Sequence, residues 1–106
     1  MADAFATLVD PTRRLVVEHL GRRPYRAGEL AVLVGTSAPV MSRHLRMLLK
    51  AGMIIDERVE SDARVRVFRL RREPLTAVQD WLDLVQANWT KQLESFKAHV
   101  DQRYRA

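Results

Sequence analysis

The part of this 106-residue sequence that carries the most groups able to recognise a polyanion runs from residue 37 to residue 52. Helical spacing predicts that its polar side chains share one face: Ser42, Arg43, Arg46 and Lys50. No Asp or Glu interrupts the stretch, so hydroxyl, guanidinium and ammonium donors would stand together without a neutralising carboxylate. A helix with such a face suits the major groove of DNA. The alternative is a solvated amphipathic helix that happens to be basic.

The same stretch carries signals that begin and end a helix. Ser37 is a good N-cap because its hydroxyl accepts a hydrogen bond from an unpaired backbone N–H, and Pro39 is tolerated in the first turn. Gly52 is a natural stop because glycine enters the left-handed conformation without a Cβ clash. Apolar residues at i, i+4 and i+7 on the other face predict packing against a core: Met41, Leu45 and Leu48.

Three shorter helices are predicted in front of it. The first contains Phe5, Leu8 and Val9, and the second begins at the N-cap Asp10 with Pro11 in its first position and ends at Gly21. The inward face of the second is predicted to consist of Leu15, Val16, His19 and Leu20. The third spans residues 27–34, and we expect its inward residues to be Leu30, Leu33 and Val34.

The third helix, the Gly35 turn and the basic helix follow one another closely enough to form a helix-turn-helix. The start of the third helix is poorly defined, since neither Arg26 nor Ala27 is a strong N-cap residue. In a helix-turn-helix the first helix crosses the DNA backbone and the second enters the groove.

After Gly52 the hydrophobic period changes from 3.6 to 2. Residues 53–59 and 64–70 read as antiparallel strands joined by residues 60–63, which makes the predicted fold a winged helix. Arginines near the tip would meet phosphate or the minor groove: Arg58, Arg64 and Arg66. The alternative is a solvated hairpin edge protected by charge. Glu60 and Asp62 at the tip would repel phosphate.

Residues 73–106 predict a final helix of roughly 30 residues, about 45 Å long. One apolar stripe follows it in steps of three and four: Val78, Leu82, Val85, Trp89, Leu93, Phe96, Val100 and Tyr104. A core this small could not cover that stripe, so we expect it to pack against a second copy of the chain. The alternative is a bent helix folded back on its own domain. We therefore divide the chain into a winged-helix core, residues 1–72, and a dimerisation helix, residues 73–106.

The net charge of +5 is unevenly distributed. Residues 1–72 contain 14 Lys/Arg and 8 Asp/Glu, whereas residues 73–106 contain 4 and 5. The excess positive charge thus falls on the part with the basic helix, which favours a polyanionic partner. The length predicts one domain, and the absence of cysteine excludes disulfides and thiolate metal sites. We find no signal sequence or membrane-spanning run and expect a cytoplasmic protein.

Several motifs together resemble the ArsR-type winged-helix regulators: DPTRRL at 10–15, GELA at 28–31, SAPVMSRHL at 37–45, Leu48, and AGMI at 51–54. The resemblance covers roughly residues 3 to 70, and the run at 37–45 is its most specific part. It implies a homodimer, paired through the first and last helices, on a palindromic operator. It also implies that Ala38, Pro39, Ser42 and Arg43 face bases or adjacent phosphates, and that the wing contacts the flanking backbone.

The sequence departs from that family at two places. Ala38 and Val40 are apolar where members often carry polar residues, so hydrogen-bond readout of bases should be thinner. Val40 could contact a thymine methyl group, and Arg43 could bind guanine O6 and N7 or a phosphate. His44 could donate to a phosphate or take part in a helix–helix contact.

The second departure concerns the effector. Metal-sensing members use cysteines before the recognition helix or Asp/His sets on the last helix, and this chain offers only Glu29 in the first region and Glu94, His99 and Asp101 in the second. We predict no metal and no cofactor, because zinc needs three or four converging ligands. A pocket near Trp81 or Trp89 could bind a small molecule, although these side chains equally suit interface packing.

These observations predict a homodimeric, sequence-specific transcriptional repressor that binds double-stranded DNA. The predicted DNA-binding residues are Ser37, Ala38, Pro39, Val40, Ser42, Arg43, His44, Arg46, Lys50, Arg58, Arg64 and Arg66. The predicted dimer interface consists of Phe5, Leu8, Val78, Leu82, Val85, Trp89, Leu93, Phe96 and Val100. A winged-helix protein-interaction module is the alternative. An enzyme is not expected, since the three histidines are scattered and no phosphate loop or carboxylate pair is present.

Overall fold

The computed structural model of the protein describes residues 2–104. Its elements are α1 (Ala2–Leu8), α2 (Pro11–Leu20), α3 (Ala27–Val34), α4 (Ala38–Lys50), β1 (Ile54–Val59), β2 (Asp62–Leu70) and α5 (Glu73–Tyr104). This order confirms the predicted fold class, a mainly helical winged helix-turn-helix with one small hairpin and a long C-terminal helix. The chain divides into two compact units, one ending at Leu75 and the other beginning at Thr76.

The core of the first unit lies between α2, α3, α4 and the hairpin. Its most deeply buried large side chains come from all of these elements: Val16, Leu30, Met41, Leu48, Met53 and Ile54. The predicted stripe on α4 is confirmed, since Met41, Leu45 and Leu48 are each at most 2% exposed. Burial of this stripe fixes which face of α4 is directed away from the core.

Two predicted inward residues are exposed instead. Leu15 is 42% and Leu33 is 48% exposed, whereas Val16 and Leu20 on α2, and Leu30 on α3, are buried as predicted. Successive residues of a helix are rotated by about 100°, and Leu15 and Leu33 lie at the edges of the faces that pack against the core. Their apolar side chains were therefore not sufficient to predict burial. Ala31 takes the buried position on α3 that was expected of Leu33.

Local caps explain where the helices begin. The Asp10 carboxylate accepts hydrogen bonds from the backbone N–H groups of Thr12 (2.8 Å) and Arg13 (3.1 Å), which begins α2 as predicted. The uncertain start of α3 is fixed by Glu29, whose Oε1 accepts from the Arg26 backbone N–H at 2.9 Å. A residue inside the helix thus stabilises its first turn where the N-cap side chain does not.

The hairpin is antiparallel, with Ile54 opposite Leu70 and Arg58 opposite Arg66. A bulge after Arg58 shifts the register, and β2 begins at Asp62, two residues before the predicted start. Tyr25 pairs with Phe68 through two backbone hydrogen bonds of 3.2 and 2.7 Å. This bridge, which the sequence did not indicate, joins the connector after α2 to β2.

The final helix, α5, contains 32 residues and is about 48 Å long, close to the predicted length. None of its residues is buried. Within residues 2–104, no helix is both long and apolar enough to span a membrane.

Candidate nucleic-acid interface

The turn between α3 and α4 is held by backbone hydrogen bonds. The N–H groups of Gly35 and Thr36 donate to the Ala31 carbonyl at 2.9 and 3.0 Å. Gly35 adopts a φ of 78°, which a residue with a Cβ enters at a cost. The Ser37 hydroxyl then accepts from the Val40 N–H at 3.3 Å and begins α4. Gly35 and Ser37 therefore determine where α3 ends and α4 begins, and the short turn between them limits how the two helices can be oriented.

The predicted recognition face of α4 is exposed. The side chains of Ser37, Ala38, Pro39, Ser42, Arg43, Arg46 and Lys50 are all exposed, and Val40 is half-buried. Within residues 2–104, no ion pair or side-chain hydrogen bond engages Arg43, Arg46 or Lys50. Three cations on one helical face are consequently available to an external anion.

His44 differs from these residues, since it is half-buried. The pKa of Asp10 lies below its usual range, chiefly because the Arg13 N–H donates to the carboxylate, with a further contribution from the nearby His44 imidazole. His44 therefore lies near the N-cap of α2. Arg13 reinforces the same region, because its Nε donates to the Thr7 carbonyl at 2.8 Å and its Nη1 contacts the Met47 sulfur at 3.1 Å.

Arg64 and Arg66 of the wing have carboxylate partners in the hairpin. Arg64 Nε lies 3.3 Å from the Asp62 Oδ1, and Arg66 forms an ion pair with Asp56. Asp62 also accepts from the Arg64 backbone N–H at 3.0 Å, which orders the tip. Sequence reasoning treated Asp62 only as a source of repulsion, whereas in the structure it holds a basic side chain in place.

A groove of about 340 Å³ connects α4 with the wing. It brings together three predicted residues from different elements, Ser42 and Arg46 on α4 and Arg66 on β2. Apolar side chains line the rest, including Leu49 and Phe68, which sequence reasoning did not include. Phe68 lines this groove and pairs with Tyr25, which is far from it in the chain. Such a long-range pairing leaves no local signal in the sequence.

The predicted dimer residues all keep some exposed surface. Phe5, Leu82, Val85, Trp89, Leu93 and Phe96 are exposed, and Leu8, Val78 and Val100 are half-buried. Leu84, which the prediction omitted, is also exposed. No group of three or more His, Asp or Glu side chains in the described part of the chain could hold a metal ion.

Comparison with known proteins identifies the family. Residues 10–56 match the family described as "Bacterial regulatory protein, arsR family". The chain is 34% identical over 98 residues, 92% of its length and 86% of its relative's, to the HTH-type transcriptional regulator Rv2034 of Mycobacterium tuberculosis. The chain belongs to the ArsR family. It is therefore a DNA-binding transcriptional regulator, as the sequence predicted, and not an enzyme.

Two further proteins are similar to this ArsR-family regulator, one in structure and one in sequence. It superimposes with a TM-score of 0.81 on an ArsR-like transcriptional regulator from Rhodococcus sp. RHA1, at 26% identity, over 95% of this chain and 90% of that one. It is 36% identical over 58 residues to the transcriptional repressor SdpR of Bacillus subtilis, which covers 55% of this chain and 64% of the relative. The first agreement confirms the winged helix, and family membership favours DNA binding over the protein-interaction alternative.

Proposed function

We propose that this ArsR-family regulator is a homodimeric repressor that binds a palindromic operator, with α4 of each protomer in the major groove. The observation that carries the proposal is the exposed face of α4, where Arg43, Arg46 and Lys50 have no carboxylate partner within residues 2–104. A buried stripe on the opposite side orients this face outward. The winged-helix architecture supports the same placement.

The residues of α4 divide by the contacts that they can make. Arg43 can donate two parallel hydrogen bonds to guanine O6 and N7, and Val40 can contact a thymine methyl group. Arg46 and Lys50 suit phosphates, which position the protein without reading sequence. Ser37, Ala38, Pro39 and Ser42 lie early on the helix, where small side chains allow close approach to the DNA. His44, half-buried near Asp10, would act chiefly by setting the position of α4.

The wing supplies a second contact. Arg58, Arg64 and Arg66 lie on strands that lead to the tip, and the groove between α4 and the wing joins Arg46 to Arg66. A phosphate backbone that passed along this groove would meet cations from both elements. The exposed ion pairs of Arg64 and Arg66 are weak enough to be exchanged for phosphate.

Dimerisation supplies the two-fold symmetry that a palindrome requires. The apolar stripe of α5 from Val78 to Val100 and the exposed Phe5 of α1 would form the interface, so that residues 73–106 act as the dimerisation helix of a core formed by residues 1–72. Two copies would place their α4 helices in major grooves about 34 Å apart. Repression by occlusion of a promoter is supported by the Bacillus subtilis relative, which is a repressor.

The test is selection of bound sequences from a random duplex pool with the purified full chain near physiological salt. An inverted repeat with half-sites one helical turn apart is the expected result. A single unpaired half-site would contradict the dimeric arrangement. Recovery of no motif, with binding that disappears as salt rises, would contradict sequence-specific repression and leave only non-specific phosphate binding.

A further inference from the structure

A pocket at the base of the wing lies outside the DNA interface described above. It has a volume of about 460 Å³ and lies between the end of α2, the connector that follows, and the start and end of the hairpin. Leu20, Ile55 and Leu70 supply apolar surface, and Leu20 is buried. Concavities of this volume are typical of sites for small molecules.

The rim of this wing-base pocket is strongly basic. Five arginines line it: Arg22, Arg23, Arg69, Arg71 and Arg72. Glu73 is the single acidic residue of the lining. Five cations around one concavity repel each other, and an anion bound among them would relieve that repulsion.

The carboxylates near the rim occupy only part of its donors. Arg23 Nη2 lies 3.6 Å from Glu29, Arg69 Nε lies 3.4 Å from Glu57, and Arg71 Nε lies 3.9 Å from Glu73, all on partly exposed side chains. Within the described residues, Arg22 has no ion-pair partner. A guanidinium carries five N–H donors, so donors of Arg22, Arg69 and Arg71 remain for an incoming anion.

One of the arginines, Arg23, has a guanidinium that is held in place before any ligand arrives. The Arg23 guanidinium lies 3.8 Å above the Tyr25 ring, and its Nη1 donates to the Pro24 carbonyl at 3.0 Å. The Arg71 backbone N–H donates to the Met53 carbonyl at 2.9 Å, which fixes the backbone of Arg71 beside the residue that precedes β1 and leaves its guanidinium to turn toward a ligand. Donors that are already oriented lose less conformational entropy when they bind an anion.

We propose that the wing-base pocket binds a small organic anion, with its apolar body against Leu20, Ile55 and Leu70 and its carboxylate, sulfonate or phosphate group against the arginines. Its position disfavours a DNA phosphate as the occupant. Ile55 and Leu70 lie at the end of the hairpin remote from the tip, on the order of 15 Å away at 3.3 Å per residue. This end of the hairpin follows the C-terminal end of α4 in the chain, since α4 ends at Lys50 and β1 begins at Ile54, whereas the base-reading residues are expected in the first two turns of α4.

The test uses naphthalene-2-sulfonate as the probe and the uncharged naphthalene-2-sulfonamide as its matched partner. Binding to the isotope-labelled full chain is followed by the shifts of backbone amide resonances. The pocket variant is Arg22→Gln with Arg71→Gln. The control variant is Arg14→Gln with Arg103→Gln, which removes the same charge from exposed positions outside the pocket. Neither variant changes a residue placed in the DNA interface.

Saturable shifts at residues 20–23, 55 and 69–72 are expected with the sulfonate, and the sulfonamide should bind at least about tenfold more weakly. The pocket variant should lose about tenfold or more in sulfonate affinity, while the control variant keeps it. The proposal is overturned if the shifts do not saturate, if they fall only on α5, or if both probes bind equally. It is also overturned if the pocket variant binds the sulfonate normally but duplex DNA more weakly, since the arginines would then serve the phosphate backbone.

Discussion

Arg43 is the residue on which sequence preference should depend most, because it is exposed, lies early on α4, and has a guanidinium with no ion-pair or hydrogen-bond partner within residues 2–104. Arg43→Ala is expected to remove the preference for the operator over scrambled DNA, with a loss of about 1–3 kcal/mol in discrimination, since a bidentate guanine contact would be gone. Fluorescence anisotropy with both duplexes measures it. Lys50→Ala is the control, and it should weaken binding to both duplexes equally. Equal losses with Arg43→Ala would assign Arg43 to phosphate as well.

Asp10 stabilises the first turn of α2. Its carboxylate caps α2, and its lowered pKa means that the ionised form is favoured in the folded state. Asp10→Ala should destabilise the protein by about 1 kcal/mol at pH 7, whereas Asp10→Asn should retain most of the stability because asparagine also caps. Urea unfolding at several pH values measures both effects.

The pH dependence of the stability difference between the wild type and Asp10→Ala follows from the direction in which folding shifts the pKa of Asp10, which is downward. A carboxylate whose pKa falls on folding contributes stability above its unfolded pKa of about 3.9 and loses it as pH falls through the lower folded value. The difference in the free energy of unfolding between the wild type and Asp10→Ala should therefore be constant from neutral pH to about pH 5 and become smaller below about pH 4. A difference that stayed constant down to pH 2 would contradict the role of the ionised cap.

At the level of elements, the turn between α3 and α4 depends on the backbone of Gly35. Its φ of 78° lies in the left-handed region, yet nothing lies within 4 Å of the position that a Cβ would occupy. Gly35→Ala should therefore cost about 1–2 kcal/mol through conformation alone, and Gly35→Asn should cost less because asparagine tolerates this region. Chemical denaturation of the two variants measures the difference. If Gly35→Ala were as stable as the wild type, the turn would be able to adopt a backbone conformation that alanine tolerates.

The wing provides a test of ion pairs that compete with DNA. Asp62→Asn keeps the oxygen that accepts from the Arg64 backbone but removes the charge that holds its guanidinium. We expect tighter DNA binding and a log–log salt slope steeper by about 0.9, since one more cation reaches a phosphate. The control is Glu94→Gln on α5, which changes the net charge equally. A slope that both variants leave unchanged would remove Arg64 from the interface.

The sequence predicted elements better than it predicted contacts between them. Asp10, Ser37 and the stripe of α4 were readable because caps and periodicity act within a few residues. The exposure of Leu33 was not readable, because the packed face of a two-turn helix depends on its neighbours. The ion pairs of Arg64 and Arg66 and the Tyr25–Phe68 bridge arise only when strands align, so no local pattern announces them. The DNA-binding role of the predicted residues stays a prediction; their exposure on α4 could be anticipated because they lie mostly on the polar face of one amphipathic helix.

At the level of the whole molecule, charge and apolar surface are separated along the chain. The excess positive charge lies in residues 1–72, and α5 carries large exposed apolar side chains without a single buried residue. Such a surface is expected to be covered by a partner, whereas basic surface is expected to remain open to DNA. A substitution on α4 can therefore change the proposed DNA contacts without changing the apolar surface of α5.

Leu93 is the position at which the dimer is best tested, because it lies within the stripe of α5 and is partly exposed. Leu93→Glu would place an unpaired carboxylate in the interface, where its desolvation is costly, so monomers are expected in sedimentation velocity. DNA binding should weaken with it, since one protomer engages one half-site. Gln92→Glu adds the same charge beside the stripe and should leave the dimer intact. If Leu93→Glu still sedimented as a dimer, or if the wild type were monomeric, the stripe would need another partner. In contrast, if Leu93→Glu were monomeric and Gln92→Glu were dimeric, the stripe of α5 would be the dimer interface that pairs two copies on a palindromic operator.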